Sequence, residues 1–285
     1  MKEIEALRKT RYELTRTINS IEKTLKEKTG GRPRILFVAP HLSTGGMPQY
    51  LYKKIEAFNE GAEVYCIQYS NTSEEYVVQR NRIKEKIGAR FYCLGNDKTE
   101  ILDLIETICP DVIHFDDFVE FFIDSNIADK IYAPDRPYFI VETCHSSNIS
   151  PADKVYSPDK FVMVNEWMCD KFGEMGVPVD ILEYPVENFK RPDRNTALDE
   201  LGLDPSLKHI INIGLFTPGK SQGELIEYAR QLQDYPVQFH FIGNTAPNFQ
   251  HYWGPLLEDL PANCKLWGER DDTDLFYKSA DLFLF

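Results

Sequence analysis

Long apolar stretches are missing from this sequence. No run reaches the roughly 18 residues that a membrane-spanning helix needs, and the first residues lack the apolar core of a secretory signal. Cysteine is sparse, with six thiols at 66, 93, 109, 144, 169 and 264. No two stand at the spacing of a zinc-binding C-x-x-C pair, so no metal is expected. Cys66, Cys93 and Cys109 fall inside or beside apolar runs, where a free thiol packs as a small hydrophobe. This pattern implies a reducing, cytoplasmic compartment. Basic charge is also short, with 32 Lys and Arg against 45 Asp and Glu and a net charge of −13. Residues 1–34 carry +5, so residues 35–285 carry −18. An acidic body excludes broad nucleic-acid binding, which needs basic surface to replace counterions. The basic first segment suits peripheral contact with an anionic membrane, although a solvated helix face accounts for it as well. Neither a Walker loop nor a G-x-G-x-x-G occurs.

What is present has two rhythms. Ile4, Leu7, Leu14, Ile18, Ile21 and Leu25 recur at three- and four-residue intervals, with Arg11 and Lys28 at the two interrupted places. The spacing predicts a helix over 3–28 that either pairs two chains as a coiled coil, giving a homodimer, or lies on its own domain. After Thr29–Pro33 the pattern changes to short apolar strands alternating with helices. Strands are expected at Ile35–Pro40, Glu63–Tyr69, Phe91–Leu94, Val112–Phe115, Tyr138–Thr143, Phe161–Val164 and Val179–Leu182. Helices are expected at Gly46–Glu60, Glu74–Ile87, Thr99–Ile108, Val119–Ala133 and Glu166–Glu174. This alternation implies a parallel sheet covered on both faces. The Pro-rich, charged stretch 184–194 reads as a linker. The alternation then restarts, with strands at Ile210–Leu215, Val237–Ile242, Cys264–Trp267 and Leu282–Phe285. The expected organisation is a heptad helix over 1–31, a Rossmann-like domain over 32–188 and a second, partial one over 189–285. Ligands in such sheets bind at the carboxyl ends of the strands.

Four segments at strand ends could carry chemistry. Ile35–Met47 runs a strand into Gly45-Gly46 and a helix start, where free N–H groups favour an anion. Gly214–Gly223 repeats that layout and places Lys220 near a helix start, suited to a diphosphate. His145 follows the strand ending at Thr143, where an imidazole can exchange hydrogen bonds with a sugar hydroxyl. His41 competes with it, and His114, inside a strand, reads as packing. Gly243-Asn244-Thr245 and Trp267-Gly268-Glu269-Arg270 end two further strands, where Glu269 could accept from ribose hydroxyls. Each segment alone is also explained by ordinary turn chemistry.

Together their order and spacing resemble glycosyltransferase family 4, whose members have the GT-B fold. The resemblance rests on RILFVAPHLSTGG (34–46), PDVIHF (110–115), INIGLFTPGK (211–220) and LWGERDDTDLFYKSADLFLF (266–285). It implies two Rossmann-like domains facing a cleft, the second incomplete. It further implies transfer of a sugar from a nucleoside diphosphate sugar to a glycan or lipid-linked acceptor, with retention and with no metal or cofactor. By the same resemblance, Gly45 and Gly46 face the donor phosphates and Lys220 binds them. Gly243, Asn244, Gly268 and Glu269 meet the nucleoside and sugar, and His145 is the catalytic histidine beside the transferred sugar. Two positions depart from the family pattern. Leu215 stands where an Arg often follows the glycine, and the chain stops before the expected E-x7-E motif, so a truncated, inactive fragment is expected. Glu166 and Glu174 have that spacing but lie in the first domain. A nucleotide-sugar epimerase or a non-catalytic binding module are the alternative readings.

Overall fold

The structure is a computed structural model and describes residues 31–43, 45–70, 77–146, 149–185, 193–245 and 247–285. The predicted helix over 3–28, the start of the helix predicted from Glu74 and residues 186–192 of the predicted linker lie outside the described residues. The chain divides between Val186 and Glu187 into two compact units.

The first unit alternates strand and helix in the order β1 (Arg34–Ala39), α1 (Gly46–Phe58), β2 (Glu63–Gln68), α2 (Val78–Ile87), β3 (Phe91–Cys93), α3 (Glu100–Ile108) and β4 (Val112–Asp116). It continues with α4 (Ser125–Ile131), β5 (Phe139–Thr143), β6 (Lys160–Met163), α5 (Glu166–Gly173) and β7 (Val179–Ile181). The sheet is parallel, with strand order β3-β2-β1-β4-β5-β6-β7. β1 shows why an unbroken apolar run is required. Leu36 and Val38 enter one core with Ile113 and Phe115, while Phe37 and Ala39 enter another with Leu51, Ile55 and Ile83. A strand covered on both faces has no polar side to show, so period-two alternation disappears. Helix α1 buries Tyr50, Leu51, Lys54 and Ile55, a stripe one helical turn apart. Asn165 starts α5 by accepting a hydrogen bond from the Met168 amide at 2.9 Å.

One expected element differs. The helix read over Val119–Ala133 is a 3-10 turn at Val119–Phe121 followed by α4. Asp124 between them is extended, with φ −60° and ψ 139°. Val119, Ile123, Ile127 and Ile131 all reach the same core, so the two short pieces imitate the periodicity of one helix.

The second unit contains α6 (Arg194–Leu201), β8 (Lys208–Ile213), α7 (Gln222–Gln231), β9 (Val237–Ile242), α8 (Gln250–Glu258), β10 (Cys264–Gly268), α9 (Thr273–Ser279) and β11 (Leu282–Phe283). Its parallel sheet runs β10-β9-β8-β11. Phe239 and Phe241 pack with Leu225, Ile226 and Ala229 on one face, and Ile211 and Ile242 with Leu198, Leu201 and Phe276 on the other. Asp193 caps α6 by accepting from the amides of Asn195 and Thr196, and Gly202 ends it in the left-handed region at φ 61°.

Candidate functional site

Both sheets have a switch point, where the strand order reverses and the flanking loops part. In the first unit it lies between β1 and β4. β1 delivers Pro40, His41 and the glycine turn, β4 delivers Asp116 and Asp117, and neighbouring β5 delivers Thr143 and His145. Gly45 caps α1 at φ 123°, a conformation that disfavours side chains, and no side chain caps the first turn. Gly46 lies under the Tyr184 ring, and a Cβ there would come within 3.3 Å of it.

A buried polar network occupies this end of the sheet. Lys54 reaches from α1 to place Nζ 2.5 Å from Asp116 Oδ1, with the side chains 4% and 0% exposed. Burial alone would raise the Asp116 carboxyl, but the Lys54 ammonium and the hydrogen bond from His145 hold it well below the usual carboxylate range. His114 is driven down to about 3 by burial and by the Lys54 charge, so its ring is neutral. Lysine only donates, so His114 Nε2 is an acceptor, 3.4 Å from Lys54 Nζ and 2.8 Å from Thr143 Oγ1. The sequence reading of His114 as plain packing is therefore incomplete, since the ring is buried and hydrogen-bonded within a charged cluster.

His145 stands at the edge of the same network. Its Nε2 lies 3.4 Å from Asp116 Oδ1 and its Nδ1 lies 2.6 Å from the Tyr184 hydroxyl. The ionised carboxylate can only accept, so Nε2 carries a proton, and in the neutral ring Nδ1 accepts from Tyr184. Burial pushes the Tyr184 phenol up to about 12, keeping it a donor. Tyr50 meets His145 edge-on with ring centres 5.3 Å apart and donates its hydroxyl to the Leu182 carbonyl at 2.9 Å. Asp116 Oδ2 is buried without a hydrogen-bond partner. His41, the competing histidine, points its Nδ1 at Ser43 Oγ, 2.9 Å away, and burial lowers its pKa.

In the second unit the switch point lies between β8 and β11. Gly214 follows β8 and Gly243 follows β9. A Cβ on Gly243 would strike the Gly214 carbonyl oxygen, so the two strand ends close only over a glycine. Phe216 N donates to the Asn244 carbonyl at 2.9 Å and Gly243 N to the Gly268 carbonyl at 2.8 Å. These bonds align the Gly214, Gly243 and Gly268 turns along one edge. Lys220 ends a 3-10 turn (Pro218–Lys220) just ahead of α7. Its stem lies against Gly214, its Nζ stands 3.7 Å from the Phe285 ring centre, and burial lowers its pKa. Among the described residues it forms no ion pair. Leu215 is partly exposed, and its carbonyl accepts from Gln222 Nε2 at 3.1 Å. Glu269 has a buried Oε1 without a hydrogen-bond partner.

Behind the Gly268 turn runs a chain of hydrogen bonds. Trp267 Nε1 donates to His240 Nδ1 at 3.0 Å. His240 Nε2 lies 3.0 Å from His209 Nδ1, and His209 Nε2 lies 2.9 Å from the Asp204 carbonyl. Burial and the neighbouring His209 lower His240 to about 3, so it is neutral.

The structure thus brings His145 together with Lys54, Asp116, Tyr50 and Tyr184, which the sequence reading missed. It gathers Lys220, Gly243, Asn244, Gly268 and Glu269 at the strand ends of the second unit, and leaves Gly45 and Gly46 at the first. The missed residues did leave a trace. Lys54 is a charge on the apolar stripe of α1, and Asp116 terminates an apolar strand. Among the described residues no cluster could hold a metal ion, and no helix is long and apolar enough to cross a membrane.

No model of a known protein family matches the sequence, and no curated protein does. Solved structures do match in fold. HepE of Anabaena, determined with UDP and glucose, is 13% identical over 88% of this chain and 73% of its own, with a TM-score of 0.68. Sucrose-phosphate synthase of Thermosynechococcus elongatus is 12% identical over 88% of this chain and 75% of its own, with a TM-score of 0.63. A glycosyltransferase of Rickettsia africae is 14% identical over 88% of this chain and 72% of its own, with a TM-score of 0.61. The α/β fold of this chain, built on parallel sheets with helices on both faces, is the fold these glycosyltransferases share.

Proposed function

We propose that this chain belongs to a glycosyltransferase that moves a sugar from a nucleoside diphosphate sugar to a glycan or lipid-linked glycan, with retention and without a metal. The observation that carries the reading is Lys220. Its ammonium has no carboxylate partner among the described residues and stands in a glycine-flanked loop at the switch point of the second sheet. A cation held there without its own counterion is suited to a diphosphate, whose charge grows as the sugar departs. Gly243, Asn244, Gly268 and Glu269 line the adjacent strand ends, where the free Glu269 Oε1 can accept from a ribose hydroxyl. The fold supports the same reading, since HepE was determined with UDP and glucose.

In the first unit, Asp116 fixes the His145 tautomer and leaves Nδ1 as the atom that meets a hydroxyl. The Tyr184 phenol fills that role, and a bound sugar hydroxyl would take its place. Gly45 and Gly46 offer the uncapped amides of α1 to an anion. The six free thiols support a reducing, cytoplasmic setting.

Calorimetry with a panel of nucleoside diphosphates and their sugars tests the proposal, followed by proton NMR of the product anomer. Binding of at least one nucleoside diphosphate is expected. Lys220→Ala should weaken it about 10- to 100-fold, since a charge-assisted hydrogen bond contributes roughly 1.5–3 kcal/mol. Absence of binding across the panel would overturn the donor assignment, and unchanged affinity in the variant would remove Lys220 from the site.

A further inference from the structure

We infer that Glu142 is a proton-operated latch for the segment that follows His145: protonated, it holds residues 149–159 down on the sheet, and ionised, it loosens them. Glu142 lies on β5 just ahead of His145, with Phe115 of β4 and Phe161 of β6 beside it in register. The next residue, Thr143, meets His114, so Glu142 faces the other side of the sheet from Lys54 and Asp116.

On that side two carboxylates share one ammonium. Lys154 Nζ donates to Glu142 Oε2 at 2.6 Å and to Glu120 Oε2 at 2.7 Å, and the Lys154 and Glu142 side chains are both 0% exposed. Glu120 Oε1 in turn accepts from the amides of Val155 and Tyr156 at 2.9 and 3.0 Å. Tyr132, just after α4, donates its hydroxyl to Glu142 Oε1. Lys154 also stands 4.5 Å from the ring centre of Phe118, which shares a core with Cys144 and Ile149. The segment is therefore held through Lys154 and two backbone amides.

The surrounding charges do not balance this cluster. Arg136, 6.0 Å from the Tyr132 ring centre, is paired with Asp159 at 2.6 Å. Tyr156 packs its ring on Tyr132 and donates its hydroxyl to Asp129 at 2.8 Å. Asp117 accepts from the Phe118 amide at 3.0 Å, and burial keeps the Cys144 thiol protonated. With Glu120 and Glu142 both ionised against Lys154, one negative charge is left over away from water, which is costly. A proton on Glu142 Oε1 removes it, since the Tyr132 oxygen can accept that proton while Oε2 keeps the Lys154 ammonium. Lifting the segment withdraws Lys154 and lets water reach Glu142, so the open form releases the proton. Burial lifts the closed carboxyl to about 7, with Lys154 opposing and the Glu120 charge assisting. A hydrated glutamate titrates near ~4.3. The closed value is the raised one, so closure is fully supported below ~4.3 and loses that support as pH rises through about 7.

NMR of the full chain tests the latch. The 13C resonance of the Glu142 carboxyl, assigned through bonds from its own amide, should titrate with a midpoint near ~7 rather than ~4.3. Exchange protection of the Val155 and Tyr156 amides, corrected for the intrinsic pH dependence of exchange, should fall about tenfold between pH ~5.5 and ~7.5. In Glu142→Gln, which cannot ionise, that protection should stay level. A Glu142 midpoint below pH ~5 would overturn the proposal, and this arm needs no variant. So would protection that stays level in the natural chain, or that falls equally in Glu142→Gln.

Discussion

Replacing Lys54 with Met asks whether Asp116 is ionised inside the fold. Methionine keeps the apolar stem and removes the ammonium 2.5 Å from Asp116 Oδ1. What remains around the carboxylate is His145 at 3.4 Å and an Oδ2 without a hydrogen-bond partner. Removing one member of a buried pair costs roughly 3–5 kcal/mol, because the other charge stays behind in a medium that does not solvate it. Against a domain stability of about 5–15 kcal/mol, this is a large fraction. The pH dependence gives the sharper sign. In the natural chain the carboxyl lies below its unfolded value of about 3.9, so it stabilises the fold above that pH and is lost as pH falls through the folded value. Without Lys54, burial acts with only His145 to oppose it and lifts the carboxyl above about 3.9. The group then favours the fold when protonated, and that contribution is lost as pH rises through the new folded value. The penalty of Lys54→Met is therefore greatest near pH ~7 and shrinks toward pH ~4.5. Urea denaturation followed by circular dichroism measures both, with hydrogen exchange of Val112–Asp116 identifying the first unit. A loss under about 1 kcal/mol near neutrality, the size of an exposed pair, or a penalty that does not shrink in acid would refute the ionised assignment.

Further outcomes follow from the same geometry. The double variant Lys54→Met/Asp116→Asn should recover most of the lost stability while freeing His145 to change tautomer, visible as a shift in its ring 15N resonances; unchanged resonances would mean that Asp116 does not fix the ring. Gly243→Ala should destabilise the second unit by at least ~1–3 kcal/mol, because its Cβ meets the Gly214 carbonyl. Gly61→Ala, with open space around it, is the control in thermal unfolding. Asp193→Ala should cost about 1 kcal/mol through loss of the α6 cap, and an unchanged melting curve would show that the two amides find other partners.

The alternation of strand and helix was readable because strands covered on both faces must be apolar throughout, as Ile35–Ala39 and Val237–Ile242 are. The break after Phe121 was not readable, because a 3-10 turn and a short helix facing one core repeat the spacing of a single helix. The glycine turns and Lys220 stood out because backbone shape and charge are local properties. The partnership of Lys54 with Asp116 did not, since the two lie 62 residues apart and only the β1–β4 neighbourhood joins them. Tyr184 was hidden for the same reason. It sat in a stretch read as a linker, yet its ring covers Gly46 and its hydroxyl meets His145.

The hydrogen-bond chain behind Gly268 has a polarity. Indole can only donate and a backbone carbonyl can only accept, so with both imidazoles neutral every proton between Trp267 and Asp204 is assigned to one nitrogen. A glutamine at position 240 could satisfy both neighbours only by reaching the two sites of a ring with one amide, and a proton added to either imidazole would set donor against donor. The turn that carries Glu269 is thereby indexed to a carbonyl far earlier in the chain. Its position is read through two rings as well as through its own strand, whose Gly268 carbonyl accepts from the Gly243 amide.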